Sequence, residues 1–194
     1  ILQNFHDANK ENINSIEVTV KKDLVCVKGK SLFNLQRLFY VGSEKGEDDI
    51  GQYGEGFKAA IVSMIKRGVS LPISVSGDEA VVIRVGEEIN NTTLCPLVYD
   101  FFKVDKHNGT MFTFNTNNPE MKNAFSFGMR HFWYENNPLI GREIFSHNDF
   151  AVYASKDENG YVFYNNIKRA DIKKIPLIIN VSKKYTAIEK KIKS

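Results

Sequence analysis

The chain has 194 residues, of which 42% are hydrophobic and 25% charged, so it can bury a core and does not have the composition of a disordered protein. Its net charge of +3 is too small to argue by itself for nucleic-acid binding. No signal peptide is visible in these residues, and no apolar run approaches the roughly 20 residues of a membrane span. With two cysteines, Cys26 and Cys95, predicted to be buried thiols, the sequence indicates a cytoplasmic protein that contacts no membrane.

The first part of the chain alternates short helices with a hairpin. Residues 1–11 have helical spacing, SIEVTV and DLVCV predict two paired strands, and SLFNLQRLFYV returns to helical spacing. The polar stretch from Gly42 to Gly56 has the composition of a loop. FKAAIVSMIKR then predicts a helix that ends at Gly68.

The rest of the chain is rich in strands. PISVSG, EAVVIRVG, TTLCPLVYDFFKV and TMFTFNT alternate apolar and polar residues, and NNPEMKNAFSFGMRHFWYE predicts a helix with Pro119 near its first turn. DFAVYAS, YVFYNN and IPLIINV predict further strands, and a basic helix ends the chain. This order predicts an α+β fold, a two-layer α/β sandwich with helices on one face of a mixed, mostly antiparallel sheet. We expect a main domain over residues 1–140 and a β-rich extension over residues 141–194.

Three glycines, Gly51, Gly54 and Gly56, lie within six positions directly before a predicted helix. The order Gly-x-x-Gly-x-Gly does not fit a Walker loop, a Rossmann fingerprint or a kinase glycine-rich loop. Glycines at a helix N-terminus offer backbone N–H groups and the positive end of the helix dipole to a phosphate, and Lys58 adds a charge in the first turn. The segment therefore indicates a phosphate site, with an ordinary flexible turn as the alternative.

The segment IGQYGEGFKAA resembles the glycine box of the GHKL ATPases, the superfamily of gyrase B, the heat-shock chaperone, sensor histidine kinases and MutL. It is most similar to the chaperone-like and MORC-like branches. ILQNFHDA is similar to the first helix of that superfamily, FYVGSEK to the start of its nucleotide lid, and HNGTMFTFNT to a late strand beside the adenine. The matches occur in the right order over residues 1–135. They imply a Bergerat-type fold that binds ATP with Mg²⁺ under a lid and hydrolyses it in the full-length protein to drive conformational change or dimerisation.

The resemblance also implies roles for single residues. Asn4 would hold Mg²⁺ through its side-chain oxygen, and Asp7 would support that site. The other implied nucleotide-binding residues are Gly29, Ser43, Lys45, Gly51, Gly54, Gly56, Phe57, Lys58 and Thr110. The general base of the superfamily, a Glu one turn before the Asn, would fall ahead of Ile1, so we expect a truncated N-terminus and assign no catalytic residue.

One box of the superfamily is altered. In VCVKGKS, Val27 stands where the family has an Asp that accepts a hydrogen bond from the adenine amino group, and Ser31 stands at the second glycine. Because valine accepts no hydrogen bond, either adenine is read differently, another nucleotide is bound, or binding has been lost. The rival hypothesis is a degenerate GHKL-fold interaction module that holds partners through its aromatic and basic C-terminal part. A nucleic-acid role is a third hypothesis, and it rests on the terminal lysines alone.

Overall fold

The computed structural model describes residues 1–39 and 56–182, and of Phe39 only the backbone. The predicted lid up to residue 55 and the predicted basic helix at the C-terminus lie outside the described residues. The chain divides into two compact units, Ile1–Ser126 and Phe127–Ser194. The functional domain boundary at residue 140 stays a prediction.

The first unit is built on a six-stranded sheet in the order β1-β2-β6-β3-β4-β5, with every neighbouring pair antiparallel. Its strands are β1 (Glu17–Lys21), β2 (Leu24–Gly29), β3 (Ser70–Ser76), β4 (Glu79–Val85), β5 (Leu97–Lys103) and β6 (Thr110–Asn115). The central strand β6 alternates buried and half-buried residues along its length, which is the period-2 pattern of a strand with one face in the core.

Three helices accompany this sheet: α1 (Leu2–Ala8), α2 (Gly56–Lys66) and α3 (Pro119–Gly128). All three contribute to a single hydrophobic core with the sheet, which is lined by Phe5, Val25, Val27, Leu35, Ile61, Met64, Val69, Val81, Ile83, Phe112, Phe114, Met121 and Phe125. The strand residues of this core lie on one face of the sheet, in register across neighbouring strands. The predicted two-layer arrangement, with helices on one face, is thus the arrangement of this unit.

The ends of two helices agree with their sequence signals. After α2, Gly68 has φ +80°, and the amide of Val69 donates to the Met64 carbonyl at 3.1 Å, as in a left-handed helix end. Before α3, the Asn118 side chain accepts hydrogen bonds from the amides of Glu120 and Met121 at 2.9 and 3.2 Å. Proline occupies the first helical position, where it sacrifices no hydrogen bond.

Two of the predicted helices are shorter in the structure. The helix predicted over residues 1–11 ends at Ala8 and continues as a 3₁₀ segment, Lys10–Ser15, with a kink at Asn12. The second predicted helix is a 3₁₀ turn, Leu35–Phe39, over the residues described there. Both breaks follow from hydrogen bonds that the side chain of Asn9 and the backbone of Phe33 make to distant residues, described below.

The second unit contains a five-stranded mixed sheet in the order β10-β9-β11-β8-β7. Its strands are β7 (Ile140–His147), β8 (Phe150–Ser155), β9 (Gly160–Tyr164), β10 (Ile167–Ile172) and β11 (Leu177–Val181). The pair β9–β11 is parallel, and the other described pairs in this sheet are antiparallel. A separate core forms around Phe163 and Ile178, with Trp133 packed on Phe163 at a ring distance of 5.4 Å. The two sheets together confirm the predicted α+β class with mixed, mostly antiparallel strands.

The expectation that both cysteines are buried thiols is corrected. Cys95 is exposed, because its segment precedes β5 instead of belonging to that strand, whereas Cys26 is half-buried and burial raises the pKa of its thiol. His6 of α1 is buried, at 1% exposed. Among residues 1–39 and 56–182, no helix combines the length and the apolar content that crossing a bilayer requires. The cytoplasmic location stays a prediction.

Candidate functional site

The first helix carries the two residues predicted to lie near a metal. Asn4 and Asp7 are three positions apart on α1, so their side chains share one face of the helix. The Asp7 carboxylate lies 3.5 Å from Nδ1 of His6, and the two side chains are 4% and 1% exposed. A carboxylate that is this deeply buried is expected to have hydrogen-bond or ion-pair partners within the protein. Asp7 is therefore not a solvated surface residue of this helix.

The turn after β2 lies against the C-terminal end of α1. Gly29 pairs with Thr110 across β2 and β6, and a Cβ on Gly29 would come within 2.8 Å of the Asn9 side chain. Gly109 approaches from the other side: its φ is +96°, and a Cβ there would lie 2.2 Å from the Gly29 carbonyl oxygen. The two glycines therefore let three backbone segments meet at one point.

A group of buried hydroxyls fixes the residues after this turn. Thr110 Oγ1 donates to the Ser31 carbonyl at 2.8 Å and lies 2.9 Å from Ser76 Oγ. The amide of Phe33 donates to Ser76 Oγ at 2.7 Å and to Thr110 Oγ1 at 3.1 Å. Because a hydroxyl has one donor and two acceptor positions, the hydrogen-bonding capacity of Thr110 is filled by the protein.

The side chain of Asn9 ties the same turn to α1. Its Nδ2 donates to the Phe5 carbonyl at 2.8 Å, and its Oδ1 accepts the amide of Ser31 at 3.0 Å. The Ser31 hydroxyl donates to the Ala8 carbonyl at 2.5 Å. Sequence reasoning did not single out Asn9 or Ser76, because their partners lie 22 and 34 positions away in the chain.

Between α1, the 3₁₀ segment and this turn is a polar cavity of about 250 Å³. It is lined by Asp7, Ala8, Asn9, Lys10, Glu11, Asn12 and Ser31. The lining offers carboxylates, an amine, amides and a hydroxyl, so it can both donate and accept hydrogen bonds. Such a lining suits a charged, oxygen-rich ligand better than an apolar one.

Val27 lines neither the polar cavity at α1 nor the open hollow beside Lys58. It is 0% exposed, within the core that β2 shares with the helices, and it pairs with Phe112 of β6. The position at which the resemblance places an adenine-reading carboxylate is therefore filled by a core side chain. No side-chain acceptor stands there to read a base.

The glycine box is described only from Gly56 onward; Ser43, Lys45, Gly51 and Gly54 lie outside the described residues. Gly56 is the first described residue of α2 and is exposed. The Phe57 ring packs against Phe112 at 5.9 Å, so Phe57 packs on the core. Lys58 borders a different, open hollow of about 590 Å³, which it shares with Leu38, Leu97, Val98 and Tyr99.

The structure thus brings together Asp7, Gly29 and Thr110 around one end of α1, with Asn4 on the same helix. It does not place Lys58 in the lining of that cavity. Among the residues that the structure describes, no group of three or more His, Cys, Asp or Glu side chains could by itself hold a metal ion. The binding roles of all these residues stay predictions.

Comparison with solved structures finds the ATPase region of Saccharomyces cerevisiae topoisomerase II, once without and once with ICRF-187 (dexrazoxane) named in its description. The TM-scores are 0.46 and 0.48 at 12% identity, with 93% of this chain and 71% of that chain covered. No family model matches the chain, and no curated protein matches it.

Proposed function

We propose that this chain is a nucleotide-binding domain of the GHKL type, which binds Mg-ATP at the cavity between α1 and the turn after β2. The observation that carries the proposal is this cavity, whose lining includes the carboxylate of Asp7, with a side chain that is 4% exposed, and Ser31 of the turn after β2. Ligand pockets commonly measure about 300–1,000 Å³. At about 250 Å³ the cavity suits one part of a nucleotide, and we assign the remaining contacts to the lid.

The donors on α1 fit a magnesium ion that is shared with phosphate groups. Mg²⁺ prefers oxygen ligands, keeps several waters and is commonly held by one or two protein oxygens together with phosphates. Asn4 would supply one oxygen, and Asp7, on the same face of the helix, would hold a coordinated water or orient Asn4. When bound, the ion neutralises charge on the phosphate oxygens.

The lid supplies the other half of the proposed site. Ser43, Lys45, Gly51 and Gly54 would close over the phosphates, and the N-terminus of α2 at Gly56 would point backbone N–H groups at them. Ordering such a segment around a nucleotide could couple nucleotide state to dimerisation or to a partner domain. Lys58 would join this group only if lid closure brings the phosphates to α2.

Isothermal titration of the folded chain with Mg-ATP and with Mg-GTP tests the proposal. We expect heat with Mg-ATP and a loss of affinity of about tenfold or more in Asp7→Asn, which removes the buried charge but keeps the shape of the side chain. Asp78→Asn is the matched control, since Asp78 is an exposed carboxylate that pairs with Lys103 at 3.2 Å. Equal heats with both nucleotides would show that the base is not read, as the burial of Val27 suggests.

A second function has its own support. An interaction module without nucleotide would need an exposed apolar surface, and Ile144, Phe145 and Phe150 on the β7–β8 hairpin are 54%, 51% and 38% exposed. The Phe145 and Phe150 rings lie 5.7 Å apart, so the patch is continuous. This function is favoured if neither nucleotide gives heat and Phe145→Ser abolishes an association that sedimentation detects for the unaltered chain.

A further inference from the structure

Asn9 occupies a position between the first helix and the turn after β2. It is the C-cap of α1 and is 2% exposed. One end of its amide donates to the Phe5 carbonyl inside the helix, and the other end accepts the amide of Ser31 outside it. A primary amide is the group that can donate from one atom and accept at the other, so the residue bridges two backbone segments at once.

Ser31 is held from three directions. Its amide donates to Asn9, its hydroxyl donates to the Ala8 carbonyl, and its own carbonyl accepts from Thr110. All backbone and side-chain polar groups of this residue therefore have partners within the protein. The turn is fixed between α1 on one side and β6 on the other.

This bridge forms one wall of the cavity. Asn9 and Ser31 both line it, next to Asp7 on α1. The separation between α1 and the turn sets the width of the cavity opening. The hydrogen bond from the Ser31 amide to Asn9 Oδ1, at 3.0 Å, fixes that separation. A wall that is fixed before a ligand arrives avoids the cost of ordering it on binding.

We propose that Asn9 is a positioning residue of the nucleotide site, which holds the Ser31 turn at the distance from α1 that the ligand requires. This role rests on the proposed nucleotide-binding function. Asn9 need not touch the nucleotide, since it acts by fixing Ser31 and Gly29. The close approach of Gly29, whose added Cβ would fall 2.8 Å from Asn9 Nδ2, is a consequence of the same bridge.

Asn9→Leu tests the role, because leucine has a similar volume and makes neither hydrogen bond. We expect amide hydrogen exchange at Ser31 to accelerate by about tenfold or more without any ligand, since the amide loses its acceptor. We expect Mg-ATP affinity in isothermal titration to fall by about tenfold or more. Asn9→Asp keeps an acceptor for the Ser31 amide and should keep the slow exchange.

Asn137→Leu is the matched control for loss of stability. Asn137 is 1% exposed, donates to the carbonyls of Arg130 and Phe132, and accepts the amide of Leu139. It lies in the second unit, so its substitution should lower the melting temperature without changing Ser31 exchange or nucleotide affinity. The comparison separates a positioning role from a general loss of folding.

The positioning role is overturned if Ser31 exchange in Asn9→Leu equals that of the unaltered chain. It is also overturned if the loss of affinity equals that in Asn137→Leu. Absence of heat with the unaltered, folded chain would overturn the proposed function and the role in it. The ligand-free exchange measurement would still decide whether Asn9 holds the turn.

Discussion

Gly109 brings the start of β6 into contact with the turn after β2 because it has no side chain. Its φ is +96°, and an added Cβ would meet the Gly29 carbonyl oxygen at 2.2 Å. Gly68, after α2, has a similar φ of +80°, yet nothing lies within 4 Å of its Cβ position. A side chain at Gly68 would therefore meet backbone strain alone, whereas a side chain at Gly109 would meet backbone strain and a steric clash.

We expect Gly68→Ala to cost about 1–2 kcal/mol, the usual cost of a left-handed conformation for a residue with a Cβ. Gly109→Ala should cost more, about 3 kcal/mol or above, since the turn must also move away. Urea unfolding of both variants measures the two free energies. Equal losses would contradict the close approach at Gly109.

At the scale of single residues, the sequence marked some of the positions that lie at the end of α1 but not the contacts that hold them. Asp7, Gly29 and Thr110 were singled out through the family resemblance, and they lie around that helix end. The hydroxyl of Thr110, however, is hydrogen-bonded to the carbonyl of Ser31 and the amide of Phe33. The sequence around Asn9 does not predict its role, because its side-chain oxygen accepts a hydrogen bond from the amide of Ser31, 22 positions away.

Three neighbouring strands are joined at one end by a row of paired residues. Gly29 of β2 pairs with Thr110 of β6, which pairs with Ser76 of β3. The hydroxyls of Ser76 and Thr110 accept hydrogen bonds from the amide of Phe33. The Thr110 hydroxyl also donates to the carbonyl of Ser31. The sheet thereby fixes the segment that follows β2, which explains why residues 31–34, at the start of the helix predicted there, are not helical.

Thr110→Val should destabilise the chain by about 1–3 kcal/mol, because it leaves the Ser31 carbonyl and the Ser76 hydroxyl without their buried partner. Thr113→Val is the control on the same strand, with a single side-chain bond to the Val25 carbonyl at 3.0 Å, and should cost less, about 1 kcal/mol. Thermal unfolding compares them. A Thr113 variant that is as unstable as the Thr110 variant would show that the row has no special role.

At the turn between β8 and β9, Tyr161 donates a hydrogen bond to Asp157 at 2.6 Å. Burial and this bond raise the pKa of Tyr161 to about 12, and the same bond lowers the pKa of Asp157. The raised phenol pKa stabilises the fold fully below its unfolded value of about 10, and this contribution is lost as pH rises toward 12. The lowered carboxyl pKa stabilises the fold above about 4, and that contribution is lost as pH falls below it.

An absorbance titration of tyrosinate should therefore include a phenol that ionises near pH 12, and Tyr161→Phe should remove that transition. Asp157→Asn should lower that pKa toward its usual value, since the phenolate would no longer form beside a carboxylate. In the same variant, the acid side of the stability curve should lose its Asp157 contribution. A titration that is unchanged in both variants would contradict the contact.

At the scale of elements, the strands and the helices α2 and α3 follow from local pattern, because apolar period, Pro119 and Gly68 act within a few residues. The end of α1 does not follow from local pattern. The side chain of Asn9 accepts a hydrogen bond from the distant Ser31, and the chain kinks at Asn12. Tertiary hydrogen bonds decided the element boundaries that the sequence misplaced.

At the scale of the whole molecule, the chain consists of two units with separate cores, and the candidate cavity belongs to the first. The α+β class was predictable from the order of the elements. The sequence does not predict the boundary between Ser126 and Phe127, because this boundary falls within helix α3 and no loop or change of composition marks it. A ligand that binds only the folded first unit should stabilise the chain as a whole to the extent that the two units unfold together.

Mg-ATP at about 100 times its dissociation constant should add about 2.7 kcal/mol to the stability of the state that binds it. For a chain of 194 residues this corresponds to a rise in melting temperature of about 5–10 °C. ATP with EDTA should give a smaller rise if Asn4 holds the metal, and Asn4→Ala should reduce the response to Mg-ATP toward that level. An unchanged melting temperature at millimolar Mg-ATP would favour the interaction module, because a ligand that binds the folded state alone must stabilise it.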